Sequence, residues 1–146
     1  MVFCVGIEVF WEPYLSAIRF IYEWNDTSSQ VVYHGYGDRP PKIGHSLFGD
    51  KFLLSMDERI NKVTLYVGTG IETGGYTITV GSEIISYITG IQFHTTNERT
   101  TRLYGIKEEN EFTESFEGYI LGYVKGRSGL VIDELQFVWY KQRKLI

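Results

Sequence analysis

The sequence repeats itself. Tyr14-Leu15-Ser16-Ala17-Ile18-Arg19-Phe20 and Tyr87-Ile88-Thr89-Gly90-Ile91-Gln92-Phe93 share one pattern, and each runs through a polar turn to a Tyr-Gly pair, Tyr36-Gly37 and Tyr104-Gly105. Self-similarity of this kind implies one supersecondary unit used several times. A third, weaker copy starts at Arg59-Ile60-Asn61-Lys62-Val63-Thr64-Leu65, with the same aliphatic spacing and no Tyr-Gly ending. Three such units predict three small antiparallel sheets around a shared core, because none is large enough to bury its apolar face alone.

Everything between the copies agrees with an all-β chain. Helical periodicity is nearly absent, and short apolar runs alternate with Gly, Asn, Asp and Thr clusters. Strands are predicted over 17–24, 30–36, 51–56, 60–67, 76–80, 84–85, 88–95, 101–104, 119–125, 130–132 and 135–140. Aromatic residues make up 16% of the chain, with eleven Tyr and nine Phe, which suits a pleated, half-buried surface. Residues 107–117, where five glutamates surround Phe112 and Phe116, read as an acidic loop and edge strand. The length of 146 residues fits one domain spanning 1–146, with a core that needs neither disulfides nor a structural metal.

Bulk chemistry excludes several function classes. With a net charge of −4 and a pI near 5.4, the chain lacks the basic field that nucleic acid requires. Its one cysteine, Cys4, cannot form an internal disulfide and reads as a small buried hydrophobe. The apolar N-terminus carries Glu8 and no basic region, so it reads poorly as a signal peptide; a cytoplasmic location, secretion by a non-classical route, or a place within a larger chain is expected. No stretch approaches the roughly 20 apolar residues of a membrane span. Asn25-Asp26-Thr27 is formally a glycosylation sequon and is taken to mark a surface loop.

A search for catalytic chemistry finds little. His34, His45 and His94 have no ligand spacing. Gly126-Arg127-Ser128-Gly129 falls short of a nucleophile elbow, since no helix pattern follows it. The glycine-rich 68–75 lacks the Lys and Ser/Thr of a phosphate loop and leads into a strand. The glutamates of 108–117 lack the pattern of a calcium loop. No catalytic residue, metal ligand or cofactor is therefore expected, and the chain reads as a binding module.

Three segments carry a resemblance to a known family. Gly122-Tyr123-Val124-Lys125-Gly126-Arg127-Ser128-Gly129-Leu130-Val131-Ile132-Asp133-Glu134-Leu135 is similar to the most characteristic segment of the jacalin-related lectins, where a strand meets a G-x-S-G turn and a G-x-x-x-D loop. Phe93-His94-Thr95-Thr96-Asn97-Glu98-Arg99-Thr100, followed by Tyr104-Gly105, resembles the family's "F-x-T-N-x-x-T" strand with its Y-G ending, and Trp11-Glu12-Pro13-Tyr14 with Ile18-Arg19 resembles its tryptophan-acidic segment and I-R strand. The resemblance implies a β-prism of three antiparallel Greek-key sheets with pseudo-threefold symmetry. It also implies a metal-independent carbohydrate site for mannose- or glucose-type glycans, within the loop from Gly126 to Asp133. Carried over by position, Gly129, Leu130, Val131 and Asp133 become the sugar-binding residues, with Tyr14 or Arg127 lining the edge.

Chemistry supports that assignment independently. A tight turn after Gly129 can present the N–H groups of Leu130 and Val131 outward, while the Asp133 carboxylate accepts charge-assisted hydrogen bonds from sugar hydroxyls. Asp bonding its own backbone in a strand-to-strand turn is the structural alternative. Three positions depart from the family pattern: Gly6 is displaced from the family's glycine-rich N-terminal loop, Glu134-Leu135-Gln136 follows the aspartate, and the span 67–83 is long enough for an added hairpin. Glycans or glycoconjugates are the expected partners. A competing expectation is a β-prism interaction or assembly domain, for instance part of a larger secreted or pore-forming assembly, that has lost sugar binding. Self-association into a homo-oligomer is expected through the aromatic N-terminal run Phe3 to Trp11 pairing at a sheet edge.

Overall fold

The computed structural model describes residues 2–11, 15–24, 29–35, 48–69, 71–73, 76–80, 83–84, 86–128 and 132–141, and every regular element among them is a strand. The first sheet contains β1 (Val2–Trp11), β2 (Leu15–Trp24), β3 (Ser29–Gly35) and β4 (Phe48–Leu53) in the spatial order β3-β2-β1-β4. A second sheet contains β5 (Ile60–Thr69), β9 (Ser86–Thr95), β10 (Tyr104–Gly105) and β11 (Asn110–Glu114) in the order β10-β9-β5-β11. Taking each unit's strands in chain order, both sheets read third-second-first-fourth, which is one Greek key used twice. The third sheet pairs β12 (Tyr119–Ser128) with β13 (Ile132–Lys141), the first and second strands of a third unit. All pairings are antiparallel.

Two features differ from the sequence reading. The copy beginning at Arg59 does not found the third sheet; as β5 it is the first strand of the second unit and pairs directly with β9. First and second strands line the same core with the same alternation, so the apolar pattern could not tell one from the other. The N-terminal run is not an edge either. β1 lies between β2 and β4, with both sides paired, because its inward Cys4, Ile7 and Val9 are fully buried. The added hairpin is present: β6 (Ile71–Thr73), β7 (Tyr76–Val80) and β8 (Glu83–Ile84) form a small sheet inserted between β5 and β9. The acidic stretch is an edge strand, β11, as expected.

The repeat acquires its meaning in the core. Phe20, Phe93 and Phe137 occupy the second strand of their respective units, opposite Ile7, Val63 and Val124, and all six are buried. Phe20 and Phe93 meet edge to face at 6.2 Å between ring centroids. Sheet 3 is tied in by the Val124 N–H, which donates to the Tyr22 hydroxyl on sheet 1 at 2.9 Å. That hydroxyl is buried, and desolvation raises its pKa above the ordinary tyrosine value.

One end of the prism is closed by a charged residue. Glu58 is fully buried in the turn before β5. Its carboxylate accepts from Arg99 Nε at 2.9 Å and Nη2 at 2.6 Å, from the Thr95 hydroxyl at 2.6 Å and from the Ser55 N–H at 2.9 Å. Arg99 also donates to the Leu53 carbonyl at 3.0 Å and lies over the Phe52 ring, stitching sheet 1 to sheet 2. The hydrogen bonds from Arg99 chiefly, then those from Ser55 and Thr95, outweigh burial and hold the Glu58 pKa down at about 2, against an ordinary 4.5. A carboxylate with a depressed folded-state pKa stabilises the fold above its unfolded pKa and loses that contribution as pH falls through the folded value. Glu58→Gln should therefore lower the denaturation midpoint at pH 7. The gap to wild type should close as pH falls from 4.5 towards 2. Thermal melts of both proteins across that window check this, and parallel pH curves would refute it.

Candidate functional site

The same end of each unit carries the connection from its first strand to its second. Contacts at both ends fix the relative sense of sheets 1 and 2: Arg59, just before β5, lies over Phe3 near the start of β1 at 4.2 Å, while Trp11, at the close of β1, packs on Tyr104 at 5.3 Å. In the third unit Trp139, beyond Phe137 in the direction away from the connection, donates its indole N–H to Glu114 at 3.0 Å. β11 ends at Glu114, which pairs with Val63 towards the start of β5, and β12 starts at Tyr119 after a four-residue link, so sheet 3 runs in the same sense. The paired residues Trp11 and Leu15, Thr69 and Ser86, and Ser128 and Ile132 consequently gather at one end of the prism, opposite the Glu58 clamp.

At that end the interval of the third unit, as short as that of the first, carries the sequence motif. Ser128 pairs with Ile132, so only Gly129, Leu130 and Val131 separate the paired strands, and Asp133 follows as the second residue of β13. Gly129, Leu130, Val131 and Tyr14 lie outside the described residues. For Asp133 and Arg127 the backbone is described: Asp133 sits in β13 beside the turn, and Arg127 pairs with Glu134 across β12. A strand-bounded turn of this size is compatible with backbone donors and one carboxylate acting together on vicinal hydroxyls.

A rigid floor supports this end between sheets 1 and 2. Trp11 and Tyr104 are buried against each other, the Tyr104 hydroxyl donates to Asp50 at 2.8 Å, and the Arg102 guanidinium covers the Trp11 ring at 4.8 Å. Burial and the hydrogen bond to Asp50 raise the Tyr104 pKa well above the ordinary value. Gly105 explains the second half of the Tyr-Gly motif. Its φ is +94°, and a Cβ there would collide with the Thr89 carbonyl oxygen and approach Leu15 N at 2.9 Å. Only glycine fits so close a crossing of backbones.

His94 builds no site among the described residues. His94 Nδ1 lies 3.1 Å from the Thr100 hydroxyl, and burial, with Lys62 nearby, lowers its pKa. His34 is in β3, and His45 lies outside the described residues. Among the described residues no group of three or more His, Cys, Asp and Glu is arranged to hold a metal, and no helix is long and apolar enough to cross a membrane. Cys4 is buried, and desolvation pushes its thiol up to about 12, as suits an inert core residue.

Comparison with known proteins agrees with this geometry. The jacalin-like lectin domain profile matches residues 5–138. Among solved structures, artocarpin in complex with mannotriose superposes with a TM-score of 0.74 at 21% identity, covering 94% of this chain and 83% of that one. Calystegia sepium agglutinin gives 0.72 at 18%, covering 96% and 83%. Frutalin from Artocarpus incisa, in complex with galactose, gives 0.72 at 18%, covering 94% and 92%. No curated protein sequence matches the chain at a significant level. At these identities the structural likeness establishes the fold, and the profile establishes the family. The chain belongs to the jacalin-like lectin domain family, whose members are carbohydrate-binding, non-enzymatic proteins.

Gly105→Ala should destabilise the protein by roughly 2 kcal/mol or more, since it combines left-handed strain with a backbone clash. Urea denaturation checks this; a variant as stable as wild type would show that the crossing is looser than described.

Proposed function

We propose that this domain binds mannose- or glucose-type glycans, without a metal, at the loop of residues 126–133. The observation that carries the reading is the register of the third sheet. Pairing of Ser128 with Ile132 leaves three residues between the paired strands, with Asp133 as the second residue of β13, at the end of the prism where the paired residues that bound all three first-to-second connections gather. In this reading Asp133 accepts hydrogen bonds from two neighbouring sugar hydroxyls, while the N–H groups of Leu130 and Val131 donate to the ring and its substituents. Gly129 supplies the turn. The mannotriose complex of artocarpin favours a mannose-type ligand, whereas frutalin is in complex with galactose, whose axial hydroxyl is at C4 and not at C2. Both sugar classes therefore belong in the assay.

Few polar contacts in a shallow, wet site leave a modest affinity per site. Hydrogen bonds to a charged group contribute about 1.5–3 kcal/mol, so Asp133→Asn should weaken binding by roughly tenfold to a hundredfold with the fold intact. Gly129→Val should weaken it further if the turn needs a positive φ. Titration calorimetry of wild type and both variants against methyl mannoside, glucose and galactose, with chelator present, checks the reading. Equal binding after Asp133→Asn moves the site elsewhere; absence of any glycan binding by wild type favours the protein-interaction alternative.

A further inference from the structure

We propose that the seam between sheets 2 and 3 is a docking surface for an arginine-bearing segment of a partner protein, whose guanidinium groups lie over Phe112, Phe116 and Tyr119. The inference is independent of the sugar reading. Phe112 of β11, Phe116 in the link that follows and Tyr119 at the start of β12 are 58%, 51% and 37% exposed. Phe116 meets Tyr119 at 6.1 Å and Trp139 at 6.2 Å between ring centroids, both edge to face, and the Trp139 indole N–H is already committed to Glu114. These rings therefore form one group, towards the clamped end of the prism and away from the Ser128–Ile132 pair.

The equivalent place in sheet 1 is closed. Counted from the core phenylalanine of each unit, Asp50 opposite Val9 and Phe112 opposite Leu65 hold the same position on a fourth strand. Asp50 accepts from the Tyr104 hydroxyl, and Phe52, two residues further on, is covered by Arg99, so the next unit seals that seam. At the seam between sheets 2 and 3, Phe112 keeps more than half of its surface in water. A contiguous exposed aromatic group of this kind marks an interaction site.

The rest of the molecule shows what suits such rings. Arg59 lies over Phe3 at 4.2 Å, Arg99 over Phe52 at 4.4 Å, Arg102 over Trp11 at 4.8 Å and the Lys125 ammonium over Tyr123 at 5.7 Å. Among the described residues no cation lies over Phe112, Phe116 or Tyr119, although Lys141 stands opposite Tyr119 in the register of sheet 3. Charge points the same way. Residues 107–119 hold five glutamates and one lysine, a net −4 equal to that of the whole chain, so the remainder is balanced. Glu117, between Phe116 and Tyr119 in the chain, is exposed. A guanidinium is more weakly hydrated than an ammonium and stacks on ring faces, so arginine suits this surface better than lysine. The same acidity disfavours an acidic partner and a second copy of this seam.

A peptide of about ten residues alternating arginine with serine, titrated into the full chain by calorimetry and followed on backbone amides, tests the surface. Amides of residues 111–119 should shift, with a dissociation constant of about 100 µM or tighter that weakens as salt is added. Phe112→Ser and Glu117→Lys alter exposed side chains; each should weaken binding about fivefold or more at an unchanged melting temperature. The peptide with lysine in place of arginine should bind less tightly, and Asp133→Asn should bind the arginine peptide as wild type does. Unmoved amides over 111–119, equal binding of a glutamate–serine peptide, equal affinity for the arginine and lysine peptides, or wild-type affinity in either surface variant overturns the proposal. Shifts of the same amides with protein concentration alone would give the surface to a second copy and overturn it too.

Discussion

Three phenylalanines in one shared core, two of them edge to face, hold the molecule together. Phe20, Phe93 and Phe137 each come from the second strand of a unit, and each lies opposite a buried aliphatic of the first strand. No sheet has a core of its own, so burial of each apolar face depends on the other two. The direction of the strands, the gathering of three connections at one end and the placement of the Ser128–Ile132 turn all follow from that mutual packing. The Glu58–Arg99 clamp then fastens the opposite end, joining the turn before β5 to the turn after β9.

Much of this was legible in the sequence, and the exceptions have physical causes. The match of Tyr14–Phe20 with Tyr87–Phe93 marks two equivalent strands, because core position and strand alternation impose the same spacing on both; only the pairing shows that they come second in their units and do not open them. Phe137 does not stand out as their counterpart, since the third unit has Asp133 and Glu134 where the others carry small residues. The copy at Arg59 was mistaken for a third unit since first strands alternate like second ones. Glu58 gave no signal at all. A glutamate in a turn reads as solvated, and only the fold brings Arg99, 41 residues away, onto it.

The candidate site was legible in a different way. The G-x-x-x-D spacing at Gly129 to Asp133 stood out through its likeness to the family, and the register of β12 with β13 supplies the geometric reason for that spacing: three residues separate Ser128 from its partner Ile132, and the aspartate follows Ile132. The Tyr-Gly ending gained a mechanism as well, a buried ring on Trp11 followed by a backbone crossing that admits no side chain. What a sequence pattern cannot convey is which strand edges remain open. The N-terminal run reads as an edge by its aromatic content, yet it is paired on both sides, between β2 and β4.

The division of the prism into a binding end and a clamped end is the central claim, and a residue-resolved titration with methyl mannoside tests it most directly. Backbone amide resonances of Ser128, Ile132 and Asp133 should shift progressively with added sugar, while those of Thr95 to Arg99 at the opposite end should stay in place. Shifts confined to the clamped end, or to the outer faces of the sheets with Ser128 to Asp133 unmoved, would contradict the account.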